Sequence, residues 1–347
     1  MNPAAWPRPD PLAERLLCID PASGEVEDAR VADLPSRLSA GDLLVVNDAA
    51  TLPASLQAGP IELRLAGQRA DGTFSAVLFG AGDWRTPTEN RPAPPELRAG
   101  DEIRFDGGML ATVERVSEVS PRLVVVRFAD SGAALWAGLY RAGRPVQYAY
   151  TAGPLPLWHT QTAYAGRPWA MEQPSAGRPL THGLLAALRA RGVAIAPLTH
   201  AAGLSSTGDA ALDAMLPFPE RYEIPAATVR AIAEAKRVIA VGTSVTRALE
   251  GAAEPPRPSP SPDGERKGEP HGSLRAGPGE TDLRLGPAHR LRVVCGLLTG
   301  IHDPTASHFE LLQAFAPAEL LRRAYAGAER RGYLGHEFGD LNLIIRR

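Results

Sequence analysis

His302 follows an apolar run and a Thr-Gly turn in LLTGIHDP, so a predicted strand end holds an imidazole where it could act as a general base or a ligand contact. A structural or merely exposed histidine is the alternative there. Asp340 stands in FGD before a second apolar run, LNLII, with an acid–base role or a structural Asx-turn open to it. Two small-residue turns add the means to hold a ligand. Pro174, Ser175, Ala176, Gly177 and Arg178 precede a predicted helix, and Gly242, Thr243 and Ser244 follow the strand VIAV. Small side chains let backbone amides approach a ligand, and a helix start favours an anion; a plain turn opening a helix explains the first motif as well. At the second, the carboxyl end of a strand in an open sheet is where ligands bind, with Arg247 and Glu250 on the next helix as neighbours.

Between Gly138 and His200 the chain carries Arg141, Arg144, Arg167, Arg178, Arg189 and Arg191 against the single acid Glu172. Arginine forks suit phosphate or carboxylate, so this segment could attract an anionic ligand or a nucleic-acid backbone. Arg189 and Arg191 could equally serve as cations at a helix end. The eight histidines show no HExxH or other ligand spacing, and Cys18 and Cys295 are not paired, so neither a metal site nor a disulfide framework is expected. G-x-G-x-x-G, G-x-x-x-x-G-K and G-x-S-x-G are all missing, which argues against dinucleotide, nucleoside-triphosphate and α/β-hydrolase chemistry. Lysine occurs only at Lys236 and Lys267, which leaves little room for a Schiff-base or phosphate-loop lysine.

These residues need elements to position them. Leu43–Val46 reads as a strand buried on both faces, as in a sheet covered by helices. From 56 to 130 the texture changes to short strands, IELRLA, TFSAVLF, DEIRF, LATVERV and LVVVRF, separated by Gly, Asp and Pro turns, which predicts a small barrel bounded near Leu56 and Tyr140. Beyond 150, helix and strand alternate: a helix capped by Thr181 and stopped at Gly192, strand VAIAPLT, a helix opened by Pro225, strand VIAV, helix TSVTRALE, strand LRVVCGLL, two helices over 306–316 and 317–331, and strand LNLII. Residues 251–280 are rich in Pro, Gly and charge and are expected to form a mobile surface loop. The 347 residues exceed one core's usual size, and 44% apolar with 22% charged content is that of a globular protein. With 37 basic against 39 acidic residues, any nucleic-acid role must come from a local patch. No signal peptide or membrane span is expected, and the expected compartment is the cytoplasm.

Together the motifs resemble the S-adenosylmethionine:tRNA ribosyltransferase-isomerase family of queuosine biosynthesis. The blocks are LSAGDLLVVNDAATLPASL at 38–56, QTAYAGRPWAMEQPSAGRPLTHGLLAALRARGV at 161–193, VIAVGTSVTRALE at 238–250, GLLTGIHDP at 296–304 and FGDLNLII at 338–345, in family order. The resemblance implies an α/β body, 1–55 with 141–347, carrying an inserted small all-β barrel domain at 56–140. It also implies transfer of the ribosyl part of S-adenosylmethionine, as cosubstrate without a metal, to a 7-aminomethyl-7-deazaguanine base in tRNA, forming epoxyqueuosine and releasing adenine and methionine. On this reading His302 and Asp340 are catalytic, Ser175, Gly177, Gly242, Thr243 and Arg247 hold the cosubstrate, and Arg144, Arg167 and Arg178 face the RNA. A paralogue acting on another acceptor, or an RNA-binding scaffold without catalysis, are the alternatives.

The chain departs from the family pattern at several places. Asn-Asp-Thr-Arg becomes Asn47, Asp48, Ala49 and Ala50, and a further family arginine is Ser55. A histidine is exchanged for Pro179, Thr-Asn-Phe-His becomes Thr299, Gly300, Ile301 and His302, and Ser-Tyr-Gly-Asp becomes Glu337, Phe338, Gly339 and Asp340. Such exchanges alter which cations and hydrogen-bonding groups meet a substrate.

Overall fold

The computed structural model describes residues 1–253, 273–302 and 307–346. Its strands are β1 (Arg15–Ile19), β2 (Val26–Arg30), β3 (Asp42–Asn47), β4 (Ala49–Thr51), β5 (Ser55–Ala58), β6 (Ile61–Gln68), β7 (Phe74–Phe79), β8 (Glu102–Arg104), β9 (Leu110–Val116), β10 (Leu123–Phe128), β11 (Arg167–Ala170), β12 (Ala194–His200), β13 (Glu220–Ile224), β14 (Arg237–Val241), β15 (Gly277–Thr281), β16 (Gly296–Gly300) and β17 (Leu341–Ile345). Its α-helices are α1 (Leu34–Arg37), α2 (Gly132–Ala142), α3 (His182–Ala190), α4 (Ala210–Asp213), α5 (Ala226–Glu234), α6 (Thr243–Ala252), α7 (Ser307–Leu312) and α8 (Ala318–Arg330).

Among the described residues, nine strands form one sheet in the order β15-β13-β12-β3-β14-β16-β17-β1-β2. β3 lies near its middle and is buried along its whole length. Its side chains alternate between two cores: Leu43 and Val45 pack with Ile232 of α5, Val245 and Leu249 of α6 and Leu321 of α8, whereas Leu44 and Val46 pack with Leu34 of α1 and Leu184 and Leu188 of α3. That is why the DLLVVN run shows no polar alternation, and each fully buried Leu or Val contributes about 1.5–3 kcal/mol. Thr181 caps α3 by accepting from the Leu184 amide at 3.2 Å, and Gly192 follows the helix with φ +79°, a conformation open to glycine.

The second sheet is antiparallel throughout, in the order β5-β6-β7-β10-β9-β8. The amide of Asp106, just past β8, donates to Gln57 O of β5 at 2.8 Å, so the sheet curls until it is nearly closed. Phe74, Phe79, Phe128 and Val113 fill its core, together with Leu135 and Leu139 of α2. The fold is mixed α/β with a six-stranded, barrel-like antiparallel sheet.

The structure corrects three expectations. The strand expected over LRVVCGLL is confined to Gly296–Gly300, because the Glu250 carboxylate accepts from the amides of Arg292, Val293 and Val294 at 2.9–3.0 Å and bends that stretch into a turn. Of the loop expected at 251–280, residues 254–272 lie outside the described residues, and Gly277–Thr281 is a strand paired with β13. Helix α2 and strands β5, β11 and β13 went unpredicted; the strands are four or five residues long and held by pairing with neighbours, and α2 is held by packing Leu135 and Leu139 on the barrel core.

Candidate active site

Strands β12, β3, β14 and β16 are parallel, so their carboxyl ends lie along one edge of the sheet. β17 runs antiparallel to β16 with Leu341 opposite Gly300, and β1 runs parallel to β17 with Leu16 opposite Leu341. The same edge therefore receives Asn47, His200, Gly242, His302, Asp340 and Glu14. Segments separated by hundreds of residues meet there for topological reasons.

Gly242 leaves β14 with φ +92° and donates its amide to Leu298 O at 2.8 Å. A Cβ on it would lie 3.6 Å from the Ala176 Cβ, so the 174–178 turn and the 242–244 turn touch. Gly177 is needed for packing, since a Cβ there would collide with the hydroxyl of Tyr164. Beneath this contact Arg178 points inward: its guanidinium pairs with the buried carboxylate of Glu14 and lies 5.5 Å from the centre of the Phe338 ring. Burial raises the Glu14 carboxyl, and Arg178 opposes that rise.

Asp340 is fully buried and its acceptors are taken. Oδ1 receives the Arg15 amide and Arg8 Nη2, both at 2.8 Å, and Oδ2 receives the Leu334 amide at 2.8 Å. His302 is half-buried, with Nε2 3.0 Å from Thr299 Oγ1 and its ring stacked on His308 at 5.0 Å. Burial holds its imidazole well below the ordinary value, and His308 and His336 add to that, so it is neutral at pH 7.

A polar junction underlies the same edge. The Asn47 side chain exchanges two hydrogen bonds with the His200 backbone, at 2.9 and 3.0 Å. Glu220 accepts from Arg247 Nη1 at 2.6 Å and from the Gly203 amide at 2.6 Å, and lies 3.2 Å from His200 Nε2. Burial pushes His200 down to about 4 against the pull of Glu220, so it too is neutral. Arg247 Nε donates to Leu283 O at 3.1 Å, while its Nη2 is buried without a hydrogen-bond partner.

The arginine segment divides. Arg144 is exposed; Arg167 is exposed, pairs with Glu223 and sits 5.5 Å from the Trp169 ring centre. Arg178 is braced inside, and Arg189 and Arg191 end α3. Among the described residues no group of three or more His, Cys, Asp or Glu is arranged to hold a metal, and no helix is long and apolar enough to cross a membrane.

Residues 3–344 match the family model described as queuosine biosynthesis protein. The chain belongs to that family. It is 36% identical to the S-adenosylmethionine:tRNA ribosyltransferase-isomerase of Acidithiobacillus ferrooxidans, over 98% of this chain and 94% of the relative. It is 36% identical to the enzyme of that name from Gluconacetobacter diazotrophicus, over 96% of this chain and 90% of the relative. A crystal structure of S-adenosylmethionine tRNA ribosyltransferase from Thermotoga maritima shares its fold, with a TM-score of 0.51 and 22% identity over 99% of this chain and 96% of that one.

Within this queuosine-family fold, motif reading missed a set of residues beside the edge. Tyr148 donates to Glu172, Tyr150 donates to Glu337, and the two tyrosine rings stack at 6.1 Å. The available signal was Glu337 itself, an acid where the family pattern carries serine.

Proposed function

We propose that the chain works as an S-adenosylmethionine:tRNA ribosyltransferase-isomerase, with the edge loops as its active site. It is an enzyme of queuosine biosynthesis. The ribosyl part of S-adenosylmethionine passes to a 7-aminomethyl-7-deazaguanine base in tRNA and rearranges to an epoxycyclopentanediol, while adenine and methionine leave. The observation that carries this reading is the family match over residues 3–344.

The sulfonium makes the neighbouring ribose C5′ hydrogen more acidic, so a well-placed neutral base can begin the reaction. His302 is that base: its imidazole is unprotonated at pH 7 and oriented by Thr299. Ser175, Gly177, Gly242 and Thr243 line the cosubstrate's bed, and the orphan Nη2 of Arg247 is free to meet its carboxylate. Asp340, saturated by Arg8, Arg15 and Leu334, positions the loops instead of exchanging protons. Arg178 likewise braces the 174–178 turn through Glu14. The exposed Arg144 and Arg167 face the RNA. Residues 1–55 and 141–347 act as one body, and 56–140 as an inserted barrel that extends the RNA surface.

Incubation with S-adenosylmethionine and tRNA carrying the deazaguanine precursor should release adenine, and omission of that RNA should stop the release. Release without the RNA, or none with it, refutes the reading. A second reading, transfer to a different acceptor, is favoured by Ala49, Ala50, Ser55, Pro179 and Gly300 standing where the family pattern has other groups. Adenine release driven by a small amine in place of tRNA would support it.

A further inference from the structure

Beside the strand-end loops lies a hollow of about 10 Å³, lined by Tyr148, Tyr150, Glu172, Gln173, Glu337 and Phe338 among others. That volume holds one water-sized group and no more. Its polar lining is rich in acceptors. The carboxyls of Glu172 and Glu337 are half-buried, and each already receives a tyrosine hydroxyl, from Tyr148 and Tyr150. Glu172 also accepts the Ser205 amide at 3.0 Å. Gln173 Oε1 is shielded from solvent and has no hydrogen-bond partner. Gln147, on the same wall, accepts the Leu155 amide and donates one of its two amide N–H groups to Gly153 O, both at 2.9 Å. Two guanidiniums flank it: that of Arg64 lies 5.5 Å from the Tyr148 ring centre and is bound to Glu62 at 2.7 Å with its buried Nη1 unpartnered, and that of Arg178 lies 5.5 Å from the Phe338 ring centre and is paired with Glu14. The imidazole of His336 stands behind Tyr150, ring to ring at 4.5 Å.

Three oxygen acceptors therefore border a water-sized space walled by aromatic rings, and among the described residues no Lys, Arg or His is part of its lining. A group that fits is small and carries several donors, and a positive charge on it would be matched by ionisation of the two carboxyls. A primary ammonium head has three N–H donors and the bulk of a water, whereas a sulfonium bears three carbon substituents and is too large.

We propose that Glu337, Glu172 and Gln173 form a subsite for a primary ammonium group of the reactants, with Tyr148 and Tyr150 orienting the two carboxyls. This rests on the reaction given above, which brings two such groups to the site: the aminomethyl group of the acceptor base and the α-ammonium of S-adenosylmethionine. Burial favours the protonated form of both carboxyls, and an arriving ammonium supplies the charge that lets them ionise.

The test uses the full-length chain with E337Q, E172Q and Y150F, each first checked for an unchanged melting temperature. Isothermal calorimetry measures S-adenosylmethionine affinity, and adenine release at saturating S-adenosylmethionine gives kcat and KM for the precursor tRNA. A tenfold or greater weakening of S-adenosylmethionine binding in E337Q, absent for an analogue lacking the α-amino group, assigns the subsite to the cosubstrate. A similar rise in tRNA KM with cosubstrate affinity unchanged assigns it to the acceptor. Y150F, which keeps the charge and loses the orienting hydroxyl, should shift the same parameter by a smaller factor and keeps the test open if E337Q misfolds. If both affinities stay within twofold of wild type in all folded variants, the subsite is refuted. Wild-type protein that releases no adenine with precursor tRNA refutes the parent reading instead.

Discussion

The two edges of the nine-stranded sheet differ in a way that room alone does not reveal. At the edge where β3 begins and β1 and β17 end, a cleft of about 600 Å³ is lined by Cys18, Arg37, Asp42, Lys236, Arg237 and Ile345, among others. Two of its cations are paired: Arg237 grips Asp42 through two bonds of 2.8 and 2.6 Å, and Arg37 pairs with Glu27, while the exposed Lys236 makes no ion pair among the described residues and Arg37 Nε is buried without a hydrogen-bond partner. The opposite edge has a hollow of about 10 Å³, yet it brings together two neutral histidines, the buried His200 and the half-buried His302, with an orphan arginine donor and an unpartnered amide oxygen. What sets the proposed active edge apart is neutral imidazoles beside orphan donors and acceptors, brought together by strand order, and not empty volume.

Substitutions at the two edges should therefore fail in different ways. The largest effect is expected for His302→Ala, which should lower adenine release by about 10²–10⁴-fold, the usual worth of a general base, while the melting temperature moves little. Turnover within a few-fold of wild type in steady-state assays would remove His302 from the chemistry. At the other edge Arg237→Ala leaves Asp42, 1% exposed, without its cation and should cost about 2–3 kcal/mol in urea unfolding, with kcat of the folded fraction unchanged. A loss of kcat without loss of stability would reverse the contrast between the edges.

A pH effect comes next. Burial pushes Glu337 up to about 7 from its ordinary 4.5, so between these values the folded chain keeps a proton that the unfolded chain releases. Stability from this group thus falls as pH rises from 4.5 to 7, by about 2 kcal/mol after allowing for its partial exposure. His200, held near 4, gives the opposite slope between about 4 and 6.5, because there the unfolded chain takes the proton. The difference between wild type and E337Q unfolding free energies isolates the glutamate; parallel pH curves would show that Glu337 ionises normally. The smallest effect is expected for Lys236→Ala. Its exposed ammonium makes no ion pair among the described residues, so stability should change by less than about 0.5 kcal/mol in the same unfolding assay and activity not at all.

Local pattern made much of this architecture legible. The uninterrupted Leu43–Val46 run pointed to a strand covered on both faces, and the short alternating strands from 61 to 128 announced a small barrel, which is a nearly closed antiparallel sheet. Thr181, Gly192 and Pro225 marked their helices because capping and backbone φ are decided within a few residues. Less local features went unread. The bend at 292–294 depends on Glu250, some 40 residues earlier, and no pattern in LRVVCGLL reports it.

The candidate positions were visible as types and spacings: His302 at a strand end and small residues at 174–177 and 242–244, with Glu337 showing only as a departure from the family pattern. Their duties were not. Asp340 and Arg178 read as reactive or RNA-facing groups until the fold supplied Arg8, the Arg15 amide and Glu14 as partners, and Arg247 gained Glu220 from a strand nearly thirty residues before it. Backbone propensity and apolar periodicity act between near neighbours and so are written along the chain. Which carboxylate meets which cation, and which donor is left without one, depends on strand order and on what is sealed from water, and those exist only once the sheet has closed around its loops.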